Sequence, residues 1–173
     1  MGERVIDLAY YIHTRMYGNV QVTVNAGAAQ AWFIAGTIVA MVAGGGHVVM
    51  ALIDTVRPTF FVPIERSAKL AMEGTGGRLV QMSGGSGERP SIWRVWLGIH
   101  ITHGIGIFIF GLLCLVLAIH DFELVKQIDA IRPLTIAFSA AYLALSLRFW
   151  FYVPALITGT ATACFTVASV LSA

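Results

Sequence analysis

The sequence predicts an all-α integral membrane fold: an antiparallel four-helix transmembrane bundle with an N-terminal amphipathic helix lying in the interface. Three observations lead there. Hydrophobic residues make up 57% of the 173 positions and charged residues only 12%, with a mean hydropathy of +0.78, too apolar for a soluble domain of this size. Four apolar stretches each reach the roughly 20 residues that a helix needs to cross about 30 Å of hydrocarbon. The N-terminal segment carries its apolar residues at helical spacing.

In that first segment Val5, Leu8, Ala9, Ile12 and Met16 share a stripe, with Arg4, Asp7, Thr14 and Arg15 off it, the pattern of a helix lying in the interface or docked on a neighbour. Residues 18–27 alternate Val20, Val22 and Val24 with polar residues, which predicts an extended connector. Residues 1–28 thus form a segment preceding a transmembrane domain at 29–173. Charges interrupt the apolar positions of the first 25 residues, so a cleaved secretory signal is not expected.

The four spans are expected at about 29–53, 92–119, 131–151 and 154–173. A connection at 54–90 opens with Arg57, Pro58 and Pro63, holds an amphipathic stretch at 64–73 and continues rich in glycine. Its run at 84–89 lacks the Gly-Lys-Ser/Thr ending of a phosphate-binding loop and precedes a helix rather than following a strand. Pro90 suits the first turn of the second span. Arg57, Arg66, Lys69, Arg78, Arg89, Arg94 and Arg148 fall on one side of the bundle, and Arg4, Arg15, Lys126 and Arg132 on the other. The positive-inside rule then places the glycine-rich loop in the cytoplasm and both termini outside, in what is expected to be a bacterial inner membrane.

Several function classes are disfavoured. The net charge of +2 and the lack of a Lys/Arg-rich run give no basis for nucleic-acid binding. Cys114 and Cys164 sit in apolar segments without a CxxC or disulfide pattern. No serine, cysteine or carboxylate pair has a base at motif spacing. Five histidines are too few for a membrane di-iron oxygenase, and His13 and His120 fall at expected interfaces.

The informative residues are His47, His100 and His103, all inside spans. Gly36, Ala40, Ala43, Gly44, His47, Ala51 and Asp54 share a small-residue face of the first span, the kind that packs helices together. Counting 1.5 Å per residue, His47 lies about 10 Å from Asp54 and His100 about 12 Å from Ile92, so the two histidines reach similar depth and can face each other, unless helix rotation separates them. His103 shares the face of His100, and Gly104 and Gly106 allow a close approach of backbone or of a flat ligand. Imidazoles on facing helices can ligate haem b axially, and the same three can hold another metal or form a proton path. They can also simply hydrogen-bond across helices to Ser139, Tyr142 or Ser146, which share one face of the third span. Intramembrane ionisable groups are costly, which makes these histidines the cofactor or metal candidates.

The runs Gly44-Gly45-Gly46-His47, Trp96-Leu97-Gly98-Ile99 and Phe149-Trp150-Phe151-Tyr152-Val153-Pro154 resemble an uncharacterised bacterial family of small four-helix membrane proteins, over about residues 32–173. The resemblance implies the four-helix fold and no activity, and the N-terminal segment and the His100-Ile101-Thr102-His103 pair depart from the family pattern.

The leading functional expectation is a non-catalytic accessory or assembly subunit of a larger membrane complex, in contact with lipid and with other subunits or copies of itself. The alternatives are a haem b electron-transfer subunit ligated by His47 with His100 or His103, and a small transporter or proton-conducting protein. No inverted repeat supports the transporter.

Overall fold

A computed structural model describes the backbone of residues 2–75 and 90–172 and the side chains of residues 26–75 and 90–172. The run at 84–89 lies outside the described residues, as does most of the glycine-rich stretch. Among the described residues six helices follow in order: α1 Gly2–Val56, α2 Arg66–Gly74, α3 Ile92–His120, α4 Phe122–Gln127, α5 Ile131–Phe149 and α6 Tyr152–Leu171. Among the described residues there is no strand.

Among the described residues, three helical segments are long and apolar enough to cross a membrane: Ala26–Val56, Ile92–His120 and Tyr152–Leu171. Their positions match the expected first, second and fourth spans. The expected third span is the helix α5, whose 19 residues cover about 28 Å at 1.5 Å per residue. It is interrupted by Arg132 and Pro133 at its start, by Thr135, Ser139 and Ser146 within and by Arg148 near its end, and it does not reach the apolarity of the other three.

The extended connector expected at 18–27 is absent. Helix α1 continues through it without a break. The valine alternation there covers only three positions, whereas an unbroken helix satisfies each backbone N–H and C=O internally, which apolar surroundings favour strongly. Gly18 and Gly27 weaken such a helix by roughly 1 kcal/mol each relative to alanine, too little to end it.

The chain divides into two compact units, Met1–Val39 with Leu112–Ala173, and Ala40–Gly111. In the first, the core is aromatic: Phe33 is buried and meets Phe165 edge-on at 5.2 Å and Phe122 at 5.9 Å between ring centroids. Gln30 Nε2 donates to the Ala118 carbonyl at 2.7 Å. Helices α5 and α6 form an antiparallel hairpin with a two-residue connection, its open end tied by Arg132 donating to the Ser172 carbonyl at 3.2 Å. Asp121 caps α4 by accepting from the Leu124 N–H at 3.0 Å, the usual use of an aspartate at a helix start.

In the second unit α1 and α3 cross where each carries glycine. A Cβ on Gly44 would stand 2.5 Å from the Phe108 nitrogen and 2.7 Å from the Gly104 carbonyl oxygen, and one on Gly104 would stand 2.9 Å from the Gly44 oxygen. The two backbones touch, the close approach that paired small residues permit in membranes. Gly106 faces open space instead. The expected amphipathic stretch at 64–73 is helix α2, where Lys69 pairs with Glu73 at 2.6 Å and lies 5.5 Å from the centre of the Trp93 ring.

Candidate functional site

The glycine crossing determines what lies beside it. His47 follows Gly44 by about one turn of α1, and His100 precedes Gly104 by about one turn of α3, so backbones in contact carry the two imidazoles toward each other. His47 Nε2 and His100 Nδ1 stand 2.9 Å apart, a hydrogen-bond distance. The His103 ring centroid lies 5.3 Å from that of His47, with the rings inclined at 59°. His100 is buried, while His47 and His103 are half-buried. His47 and His100, which sequence counting places at similar depth, face each other within one unit, with His103 beside them.

Asp54 organises the cover. It is fully buried one residue-pair before the end of α1, where Pro58 stops the helix. One carboxylate oxygen accepts from the Thr59 and Phe60 N–H groups at 2.7 and 2.9 Å, and the other from the Phe61 N–H at 2.6 Å. Each such bond to an ionised acceptor contributes about 1.5–3 kcal/mol where it is shielded from water. The Phe61 carbonyl in turn accepts from Trp96 Nε1 at 3.3 Å, so Phe61 is held at both ends of its peptide units.

Thus positioned, the Phe61 ring stacks on His100 at 4.1 Å with 13° between planes and tilts against His47 at 4.9 Å. Trp96 meets His100 edge-on at 4.5 Å. Sequence spacing assigns neither Phe61 nor Trp96 to the site, and places Asp54 only at the end of the small-residue face of the first span. Its signal was a carboxylate at a helix end, a proline four residues on and then two phenylalanines, the composition of a side-chain-stapled turn.

Chemically, an N···N contact of this length needs one nitrogen carrying hydrogen and one bearing a lone pair. A metal–imidazole bond is about 2.0–2.1 Å, so an ion axially ligated between two nitrogens separates them by about 4 Å and a tetrahedral ion by about 3.3 Å. The observed pair is closer than either. Among the described residues no group of three or more His, Cys, Asp or Glu side chains is arranged to hold a metal ion.

Ser139, Tyr142 and Ser146, the expected hydrogen-bonding residues, lie on α5 in the first unit. The Ser139 hydroxyl is directed to its own helix, at 3.0 Å from the Thr135 and 3.1 Å from the Ile136 carbonyl. The Tyr142 ring sits 4.8 Å from that of Phe138, and Ser146 is buried. Cys114 and Cys164 are buried free thiols, and His120 is exposed.

No family model matches the chain, and no curated protein and no solved structure matches it either.

Proposed function

We propose that this chain is a small integral membrane subunit of a larger membrane complex, with an accessory or assembly role rather than catalysis of its own. In this reading α5 pairs with α6 as the fourth span of an antiparallel bundle, in a bacterial inner membrane with the 57–91 side cytoplasmic, as the arginines on that side favour. The observation that carries it is how little of each apolar helix the chain itself covers. The most apolar windows of the three spans are only 28%, 22% and 22% buried, leaving long outward faces with Val42, Leu113 and Val170 exposed. Lipid covers such faces, and so do the helices of other subunits. Small-residue faces of the kind that join α1 to α3 offer close packing without large apolar anchors. Extraction of the untagged native assembly in mild detergent is expected to return this chain with other membrane subunits in fixed ratio. Recovery as a monomer or homo-oligomer alone would overturn the reading.

A haem b subunit using His47 with His100 or His103 ranks below this, because a haem between the first two would have to break their hydrogen bond and part the rings. A reduced-minus-oxidised visible spectrum of the purified protein decides it: sharp α and Soret bands at near-stoichiometric haem would restore that reading.

A further inference from the structure

The histidine pair has a geometry of its own to explain, whatever the chain's partners. Nothing larger than a hydrogen nucleus fits between His47 Nε2 and His100 Nδ1 at 2.9 Å, and aromatic rings cover the pair at van der Waals distance. We infer that His47 and His100 form a proton-binding site inside the membrane that takes up one proton per pair, reached from the side of Phe61 and Asp54.

The proton count follows from the bond. In the neutral pair one inner nitrogen donates its hydrogen to the lone pair of the other, and each ring has one further nitrogen on its outer side. Suppose His47 Nε2 is the donor. A proton arriving at His47 Nδ1 makes that ring cationic, the shared hydrogen moves along the bond to His100 Nδ1, and the charge passes to His100. Release of the hydrogen on His100 Nε2 returns a neutral pair with the opposite tautomers. Between arrival and release one excess proton is held across a charge-assisted bond. A second would place N–H groups on both inner nitrogens, remove the only acceptor and set two cations against each other, so the pair titrates as a unit with a capacity of one.

Direction of access follows from where the other described ionisable groups of the same unit lie. Asp54 is on α1, about 10 Å along the helix from His47. The connection brings Arg57 and Glu65, α2 brings Arg66, Lys69 and Glu73, and the start of α3 brings Arg94, every one of them on the Asp54 side of the histidines. His103 lies deeper, about 16 Å from the start of α3, and among the described residues of this unit no ionisable side chain follows it on α3. The imidazoles therefore reach from the loop side to about mid-membrane and stop, forming a proton well rather than a continuous path.

The full chain, labelled with 15N in its histidine rings and placed in phospholipid vesicles, tests this by solid-state NMR as the medium is acidified. Scalar coupling across the N–H···N bond is expected between His47 and His100, with both rings shifting together on uptake of one proton. His100→Phe removes the coupling and with it the joint response of two rings, whereas Phe61→Ala keeps the coupling and speeds hydrogen exchange with water. Two independent titrations in folded wild-type protein, absence of the coupling, or both rings becoming cationic with the helical circular dichroism unchanged would each overturn the assignment. Steady proton flux through vesicles containing only this chain would overturn the well in favour of a channel.

Discussion

The Phe61 N–H donates to Asp54 at 2.6 Å, and the same residue's ring lies stacked 4.1 Å from His100. A carboxylate at the end of one helix thus determines which aromatic face closes over a histidine on another. The relationship is short in sequence, seven residues, but it is the step by which a loop becomes part of an intramembrane site. Replacing Asp54 with Ala removes the acceptor for three N–H groups at once. Because Thr59 and Phe60 are exposed and can turn to water, the expected loss is about 2–3 kcal/mol of local stability rather than three full bonds. Hydrogen exchange at residues 59–61 should accelerate by roughly 30- to 150-fold, with the spanning helices protected as before. Unchanged exchange there would mean that the turn is held by something other than Asp54.

Gly44 is expected to tolerate no side chain. The atoms that a Cβ would strike are backbone atoms of α3, which cannot rotate aside, so Gly44→Ala has to push the helices apart and costs about 1–3 kcal/mol as overpacking. Gly46, two residues on, meets nothing within 4 Å. Its replacement by Ala is expected to be neutral or to stabilise by up to about 1 kcal/mol through helix propensity. Thermal unfolding of the two variants in one detergent separates them, and equal melting temperatures would refute the crossing.

Much of this was legible before the fold was known, for a physical reason. Hydrocarbon demands long apolar helices, so the segments ending near Val56, starting at Ile92 and ending near Leu171 announce themselves by length, and depth can be counted along each at 1.5 Å per residue. That count alone brought His47 and His100 level, and the glycines of α1 and α3 marked where helices could touch. Loops obey no such period. Phe61 looks like any apolar loop residue until the Asp54 hydrogen bonds are seen, and the partial polarity of α5 leaves it indistinct between a span and a helix packed at the surface. Residues 18–27 misled because a brief valine alternation resembles a strand, while the cost of exposing backbone groups, which favours helix, has no signature in side-chain pattern.

In the first unit, Phe33 is expected to dominate stability. It is 2% exposed and makes edge-to-face contact with Phe122 and Phe165, so Phe33→Ala loses burial and two aromatic pairs, about 3–5 kcal/mol. Phe149, at 69% exposed, serves as the control, with an expected change within about 0.5 kcal/mol. Denaturation in mixed detergent micelles compares them, and similar losses in both would mean that the aromatic cluster contributes no more than lipid-facing surface.

His103 distinguishes a pair from a triad. Its ring stands 5.3 Å from that of His47 at a 59° inclination, whereas His47 and His100 are joined by a contact between named nitrogens at 2.9 Å. If the two-residue bond is the functional element, it survives the loss of the His103 imidazole nitrogens. His103→Phe, which keeps a flat ring in that position, is therefore expected to preserve the His47–His100 bond and the scalar coupling across it. The acid transition of the two rings should keep its single-step character. A transition that instead splits into separate steps for His47 and His100 would mean that His103 is structurally part of the bond network, and that all three imidazoles must be treated as one titrating unit.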